Sequence, residues 1–163
     1  MVVSICFSGA KTFCAYGLRI GAQILVSKRN IINIHKNSKK LARATWSTPT
    51  SCSIEIINSI IGNTDMLKRF LTELKQANRV LINRHKIFYD ESKKFNIDYY
   101  CANRGFFVCI KTKNSQTIYE KLLKVGVYTI PLEGYIRLAI SSIPTNKIKV
   151  MVDKIGGVIN HEN

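Results

Sequence analysis

Acidic residues are scarce in this chain. Its 163 residues include 10 Asp and Glu against 25 Lys and Arg, a formal charge of +15. None of those acids lies between Met1 and Ile54, a stretch that carries Lys11, Arg19, Lys28, Arg29, Lys36, Lys39, Lys40 and Arg43. So one-sided a segment points to an anionic partner: nucleic acid, a phosphorylated cofactor, a carboxylate substrate, or an acidic surface elsewhere in the protein. No apolar run approaches the roughly 18–20 residues that cross a bilayer, which excludes an integral membrane protein. The first six residues are largely apolar but follow no basic segment, and Lys11 comes soon after, so a secretory signal is not expected. Cys6, Cys14, Cys52, Cys101 and Cys109 contain no C-x-x-C pair. Neither a disulfide framework nor a zinc site follows from them; they read as mostly buried thiols in a reducing cytoplasm. His35, His85 and His161 lack metal-ligand spacing and read as structural or exposed.

With 46% hydrophobic and 21% charged residues, the chain has the composition of a folded protein, one domain or one and a small companion. There is no internal repeat and no low-complexity segment. Two short apolar runs, Met1–Cys6 and Ile20–Val26, read as buried strands. Residues 30–44 read as a basic helix broken at Trp46-Ser47-Thr48-Pro49. Residues 51–61 read as a largely buried helix capped at Gly62-Asn63. From Thr64-Asp65, taken as the capping residues, Met66, Leu67, Phe70, Leu71, Leu74, Ala77, Leu81 and Phe88 recur at helical spacing. That pattern predicts a helix of about 28 residues, roughly 40 Å long at 1.5 Å per residue. Beyond it come strands at Ile97–Cys101, Phe106–Ile110, Val127–Ile130 and Tyr135–Ile140, with a hairpin turn at Glu133-Gly134. Helices follow at Ser115–Lys124 and from Pro144-Thr145 to about Gly156. Two domains are expected: residues 1–62, the tail of an α/β domain, and residues 63–163, a connecting helix with a compact α+β domain.

Residues 8–22 read SGAKTFCAYGLRIGA. A lysine in a turn after a buried strand is expected to be held firmly, with little access to water. Desolvation and neighbouring positive charge both lower an amine's pKa, freeing its lone pair for carbonyl chemistry. Arg19 adds a fixed cation and Ser8 a hydroxyl, both suited to a phosphate. By spacing alone, an ordinary surface lysine and arginine in a loop stays the alternative, with Tyr16 packing beneath.

This stretch resembles the cofactor-lysine signature of class I and II aminotransferases, pyridoxal-phosphate enzymes of fold type I related to the aspartate and aromatic aminotransferases. Lys11 falls on the Schiff-base lysine, Arg19 on the phosphate-binding arginine and Ser8 on a phosphate-binding serine. Gly9 stands where a larger apolar residue is usual, Ala10 where a serine is frequent, and Cys14 is atypical. Residues 43–49, RATWSTP, are similar to the family's Arg-x-x-aromatic-Ser-Asn-Pro segment, with Thr48 in place of the Asn. Arg43 falls on the arginine that reaches a distal substrate carboxylate across the dimer. Gly126-Val127-Tyr128 with Tyr135-Ile136-Arg137-Leu138 resembles the segment that clamps the substrate α-carboxylate, and Arg137 falls on its arginine. Asn103-Arg104-Gly105-Phe106-Phe107 is similar to the Gly-aromatic opening of a small-domain strand.

The resemblance implies the C-terminal part of the large domain of a fold type I pyridoxal-phosphate transferase, plus its α+β small domain, joined by a long helix. It implies pyridoxal 5'-phosphate on Lys11 and ping-pong transfer of an amino group from an L-amino acid to a 2-oxo acid. The partners it implies are a second copy or a complementary N-terminal half, with no nucleic acid and no membrane. The family's pyridine-binding Asp, phosphate-cup loop and ring-stacking aromatic lie upstream of its lysine, so an incomplete chain is expected, with the edges of the first two strands exposed. Three other readings stand beside this one. They are an inactive fragment or assembly partner, a lysine-dependent lyase or decarboxylase of the same fold, and a basic nucleic-acid-binding module. Against the last, the aromatics do not interleave with the basic residues, and no helix-turn-helix or RNP motif is present.

Overall fold

The computed structural model describes residues 1–100 and 104–160. Cys101, Asn103 and His161, singled out above, lie outside the described residues. The chain divides into two compact units, Met1–Leu74 and Lys75–Asn163, and the long helix is shared between them.

In the first unit, β1 (Val2–Ser8) and β2 (Gly21–Ser27) form an antiparallel ribbon, with Val2 opposite Ser27 and Ser8 opposite Gly21. Apolar runs of this kind read as buried strands, but in an incomplete chain they are expected to stand exposed, and they do; they pair with each other, antiparallel. The connection holds only α1 (Gly9–Thr12) and a 3₁₀ turn at Tyr16–Leu18, and it returns the chain beside the strand it left. A parallel neighbour would need a full crossover. Every residue of β1 is exposed, Ile5 by half, and in β2 only Leu25 and Ser27 are partly covered.

α2 (Ile32–Trp46) has no buried residue, and Ser47 ends it in the left-handed region at φ 66°. Lys36, Lys39 and Lys40 are solvated, and Trp46 is 67% exposed. α3 (Ser51–Gly62) buries only Ser53 and Ile57, so the expectation of a largely buried helix is not met. Its end is not a left-handed cap either, because Asn63 is extended at φ −117°. Asn63 instead starts the next helix: its Oδ1 accepts from the backbone N–H of Asp65 and of Met66, both at 3.0 Å. The capping oxygen comes from Asn63 rather than from Thr64 or Asp65.

α4 (Thr64–Ser92) is 29 residues long. Leu67, Phe70, Leu74, Ala77, Leu81 and Phe88 form its more covered stripe, as the 3.6-residue period requires, while Met66 and Leu71 are exposed.

The second unit is built on β3 (Tyr99–Tyr100), β4 (Val108–Lys111), β5 (Ile130–Leu132) and β6 (Tyr135–Leu138), antiparallel in the order β3-β4-β6-β5. α5 (Ser115–Lys124) and α6 (Ile148–Asn160) pack on it. Strand alternation turns Val108, Ile110, Ile136 and Leu138 into the core. There they meet Ile118 and Leu122 of α5, Ile148, Val152 and Ile155 of α6, and Phe88 of α4. Cys109 and Arg137 fall on the opposite face.

β5 begins three residues later than the sequence predicts, and the reason is local. Gly126, at φ 75°, closes α5 with a Schellman turn: its N–H bonds Leu123 O at 3.0 Å, and Val127 N–H bonds Leu122 O at 2.9 Å. The turn consumes the residues that would have opened the strand. Gly134, at φ 77°, makes the expected turn into β6.

α6 runs past Gly156 because that glycine lies against the ring of Phe95, where a Cβ would overlap the ring atoms. Gly156→Ala is therefore expected to destabilise the second unit by about 1–3 kcal/mol, despite alanine's better helix propensity. Urea denaturation followed by circular dichroism measures this, and a gain in stability would contradict the packing described.

The cysteines depart from expectation. Cys6, Cys14 and Cys52 are exposed and Cys109 is half-buried, all four as free thiols. The first three sit on elements of the first unit that are themselves exposed. No helix among the described residues is long and apolar enough to cross a membrane.

Candidate active site

The lysine loop is held by three backbone devices. Gly9 N–H donates to Ile20 O at 2.9 Å, closing the loop at its base. A Cβ on Gly9 would stand 2.7 Å from Ile20 Cγ2, so glycine here permits the close approach of the loop's two ends. A Cβ on Gly21 would come 2.7 Å from Phe7 O, the same argument on the returning strand. Cys14 and Arg19 take left-handed backbone at φ 52° and φ 50°, uncommon for residues with side chains, and they bracket Tyr16. Phe13 supports the loop, its ring tilted against Phe7 at 5.3 Å and edge-to-face with Phe70 at 5.7 Å.

The result is a convergence. Lys11 Nζ lies over the Tyr16 ring, 4.0 Å from its centroid, and the Arg19 guanidinium lies 4.9 Å from the same centroid. Arg19 also donates to Tyr16 O at 3.1 Å. One electron-rich ring thus spaces two cations that would otherwise repel each other. Ser8 stands at the head of the same turn, exposed, its side chain making no capping bond to α1. Lys11 is exposed rather than shielded from water, so the expectation of restricted access is not met by these residues. Tyr16 matters more than sequence reasoning allowed. The only available signal was its place between Lys11 and Arg19, because a loop has no periodicity to mark a stacking ring.

Arg43 lies in the last turn of α2, exposed, its carbonyl accepting from Ser47 N–H at 3.2 Å. The segment after it is tied to the lysine loop through Thr50, whose hydroxyl donates to Leu18 O at 3.2 Å.

Arg137 belongs to the second unit. It sits in β6, opposite Cys109 of β4 and Ile130 of β5. Its guanidinium lies over the Phe107 ring, 4.7 Å from the centroid. Its Nε is buried and has no hydrogen-bond partner among the described residues. A buried donor without a partner costs about 1–3 kcal/mol, and such groups concentrate where a ligand completes them. Val127 is buried as part of the α5 cap, whereas Tyr128 is 78% exposed. His85 is buried and structural, its Nε2 2.9 Å from Gly105 O, and His35 is exposed.

Residues 2–155 match the family model for aminotransferase class I and II. The chain belongs to that family. An aminotransferase from Anaerococcus prevotii matches with a TM-score of 0.86 and 28% identity, over 98% of this chain and 39% of that one. Aspartate aminotransferase of Plasmodium falciparum matches with a TM-score of 0.73 and 24% identity, over 97% and 40% of the two chains. A tetra mutant of Thermus thermophilus aspartate aminotransferase, complexed with tryptophan, gives 0.72 and 18%, over 91% and 39%. This aminotransferase chain therefore has the family fold and spans about two fifths of the length of the solved structures it matches. No curated protein matches it.

Proposed function

We propose that this chain carries the cofactor-anchoring lysine and the substrate-carboxylate arginine of an amino-acid transaminase. The reaction moves an amino group from an L-amino acid to a 2-oxo acid in two half-reactions. The observation that carries this reading is the meeting of Lys11 and Arg19 on Tyr16, in the loop that Ser8 opens. An amine, a guanidinium and a hydroxyl carried by one loop fit a ligand with an aldehyde and a phosphate, which is what pyridoxal 5'-phosphate presents. When bound, that cofactor supplies an electron sink for the pair left as the substrate Cα–H bond breaks.

The residues divide the remaining work. Lys11 would hold the cofactor through Nζ, and its amine is the group that would take the substrate Cα proton and return it. Arg19 and Ser8 hold the phosphate. Arg137 binds the α-carboxylate with its planar fork, bringing a partner to the buried Nε. Arg43 serves a second, distal carboxylate, which favours aspartate, glutamate and 2-oxoglutarate. The exposed apolar side chains of β1 and β2 call for cover, and we assign it to a second copy of the chain or to a complementary N-terminal half. Free thiols fit work in the cytoplasm.

The exposure of Lys11 favours a second reading, a family member that assembles without performing the chemistry. An absorbance titration with pyridoxal phosphate, then borohydride reduction and peptide mapping, separates the two. Label concentrated on the Lys11 peptide, with turnover of aspartate and 2-oxoglutarate, supports the transaminase. Equal labelling of many surface lysines would refute it.

A further inference from the structure

Arg137 has little to aim it on its own strand: its Nε is unpartnered among the described residues, and the Phe107 ring lies against its guanidinium. Its orientation therefore depends on where Phe107 stands. Phe107 follows Gly105, whose backbone at φ 133° is accessible in practice only to glycine. Gly105 O is held by the buried ring of His85, with Nε2 at 2.9 Å. A carbonyl oxygen can only accept, so Nε2 carries the proton.

The neighbouring residue acts on the other strand. Arg84 donates through Nη1 to Ser141 O and through Nε to Thr145 Oγ1 at 3.4 Å. Ser141 N–H in turn bonds Phe106 O at 3.2 Å, extending the β4–β6 pairing past Val108–Leu138. Two consecutive residues of α4 thus grip one end of the strand pair that presents Arg137, His85 on the segment entering β4 and Arg84 on the segment leaving β6.

We propose that His85 is a positioning residue for the carboxylate fork: through Gly105 it sets Phe107, and through Phe107 it sets the Arg137 guanidinium, with Arg84 fixing the facing strand at the same end. The catalytic meaning of this rests on the function proposed above, but the mechanical link does not.

The test needs neither cofactor nor turnover, so a failed pyridoxal-phosphate titration would leave its result standing. In the full ¹⁵N-labelled chain, the arginine Nε–Hε signal of Arg137, assigned with Arg137→Lys, is expected upfield because it lies over the Phe107 ring. His85→Ala should return that signal to the ordinary arginine position while the core methyl signals of Ile118 and Leu122 stay in place. His85→Gln, which supplies an N–H at similar reach, should restore the upfield shift. An unmoved Arg137 signal in His85→Ala overturns the proposal, and so does failure of His85→Gln to restore it. If His85→Ala unfolds, Gly105→Ala decides, since it displaces the same carbonyl from the other side. A shifted Arg137 signal supports the link and an unchanged one overturns it.

Discussion

Lys11→Ala is expected to abolish both borohydride-trapped labelling at residue 11 and transamination. Two separate contributions disappear with the amine. On the proposed function the covalent hold on the cofactor would be lost, because no other lysine shares the turn between β1 and Arg19. The proton relay at the substrate Cα is lost as well, and positioned proton transfer alone contributes roughly 10²–10⁴-fold. The fold should be indifferent, since Lys11 is exposed and the turn is closed by Gly9 and Ile20 backbone. Single-turnover assays with aspartate, read against a thermal unfolding curve for the same variant, make the check. Label retained elsewhere, with activity within tenfold of the unaltered chain, would mean another amine does the work and Lys11 is a surface residue.

Arg137→Ala should separate function from stability in the other unit. Removing one partner of a desolvated, hydrogen-bonded charge pair costs about 2–5 kcal/mol. On that scale kcat/KM falls by roughly 30-fold to several-thousand-fold. Arg137→Lys should recover little, because an ammonium cannot reproduce the planar two-pronged contact. The unfolding midpoint should hold or rise slightly in Arg137→Ala, since the substitution removes a buried donor that has no partner among the described residues. Loss of stability in step with loss of activity would mean that Arg137 is a packing residue over Phe107 and no more.

Legibility followed physical cause. α5 lies where Ser115–Lys124 was predicted, because Ile118 and Leu122 mark its inner face and Asn114 precedes it. The alternation in Val108–Ile110 and Ile136–Leu138 likewise put Arg137 on the face away from the core. The start of β5 was hidden because a Schellman turn recruits Gly126 and Val127 from what looks like strand sequence. The expected burial of α3 and of Cys6, Cys14 and Cys52 is not met, for one reason. An apolar run shows that a segment can be covered, not which other segment covers it. Lys11, Arg19 and Ser8 stand out in the sequence by residue type and order, but the ring that joins two of them does not. Tyr16 earns its place through two left-handed residues, Cys14 and Arg19, whose backbone no side-chain pattern announces.

Trp46 has a practical consequence of its own. It is the single tryptophan of the chain and stands exposed at the end of α2. Its emission should already be that of a solvated indole in the native state and should change little as denaturant is added. Phe88, Leu122 and Ile155, whose exposure would mark collapse of the second unit's core, have no such reporter beside them among the described residues. Intrinsic fluorescence will therefore be nearly silent as the core of the unit that carries Arg137 comes apart. Circular dichroism and tyrosine absorbance will see it, so coincident transitions should not be assumed from one optical probe.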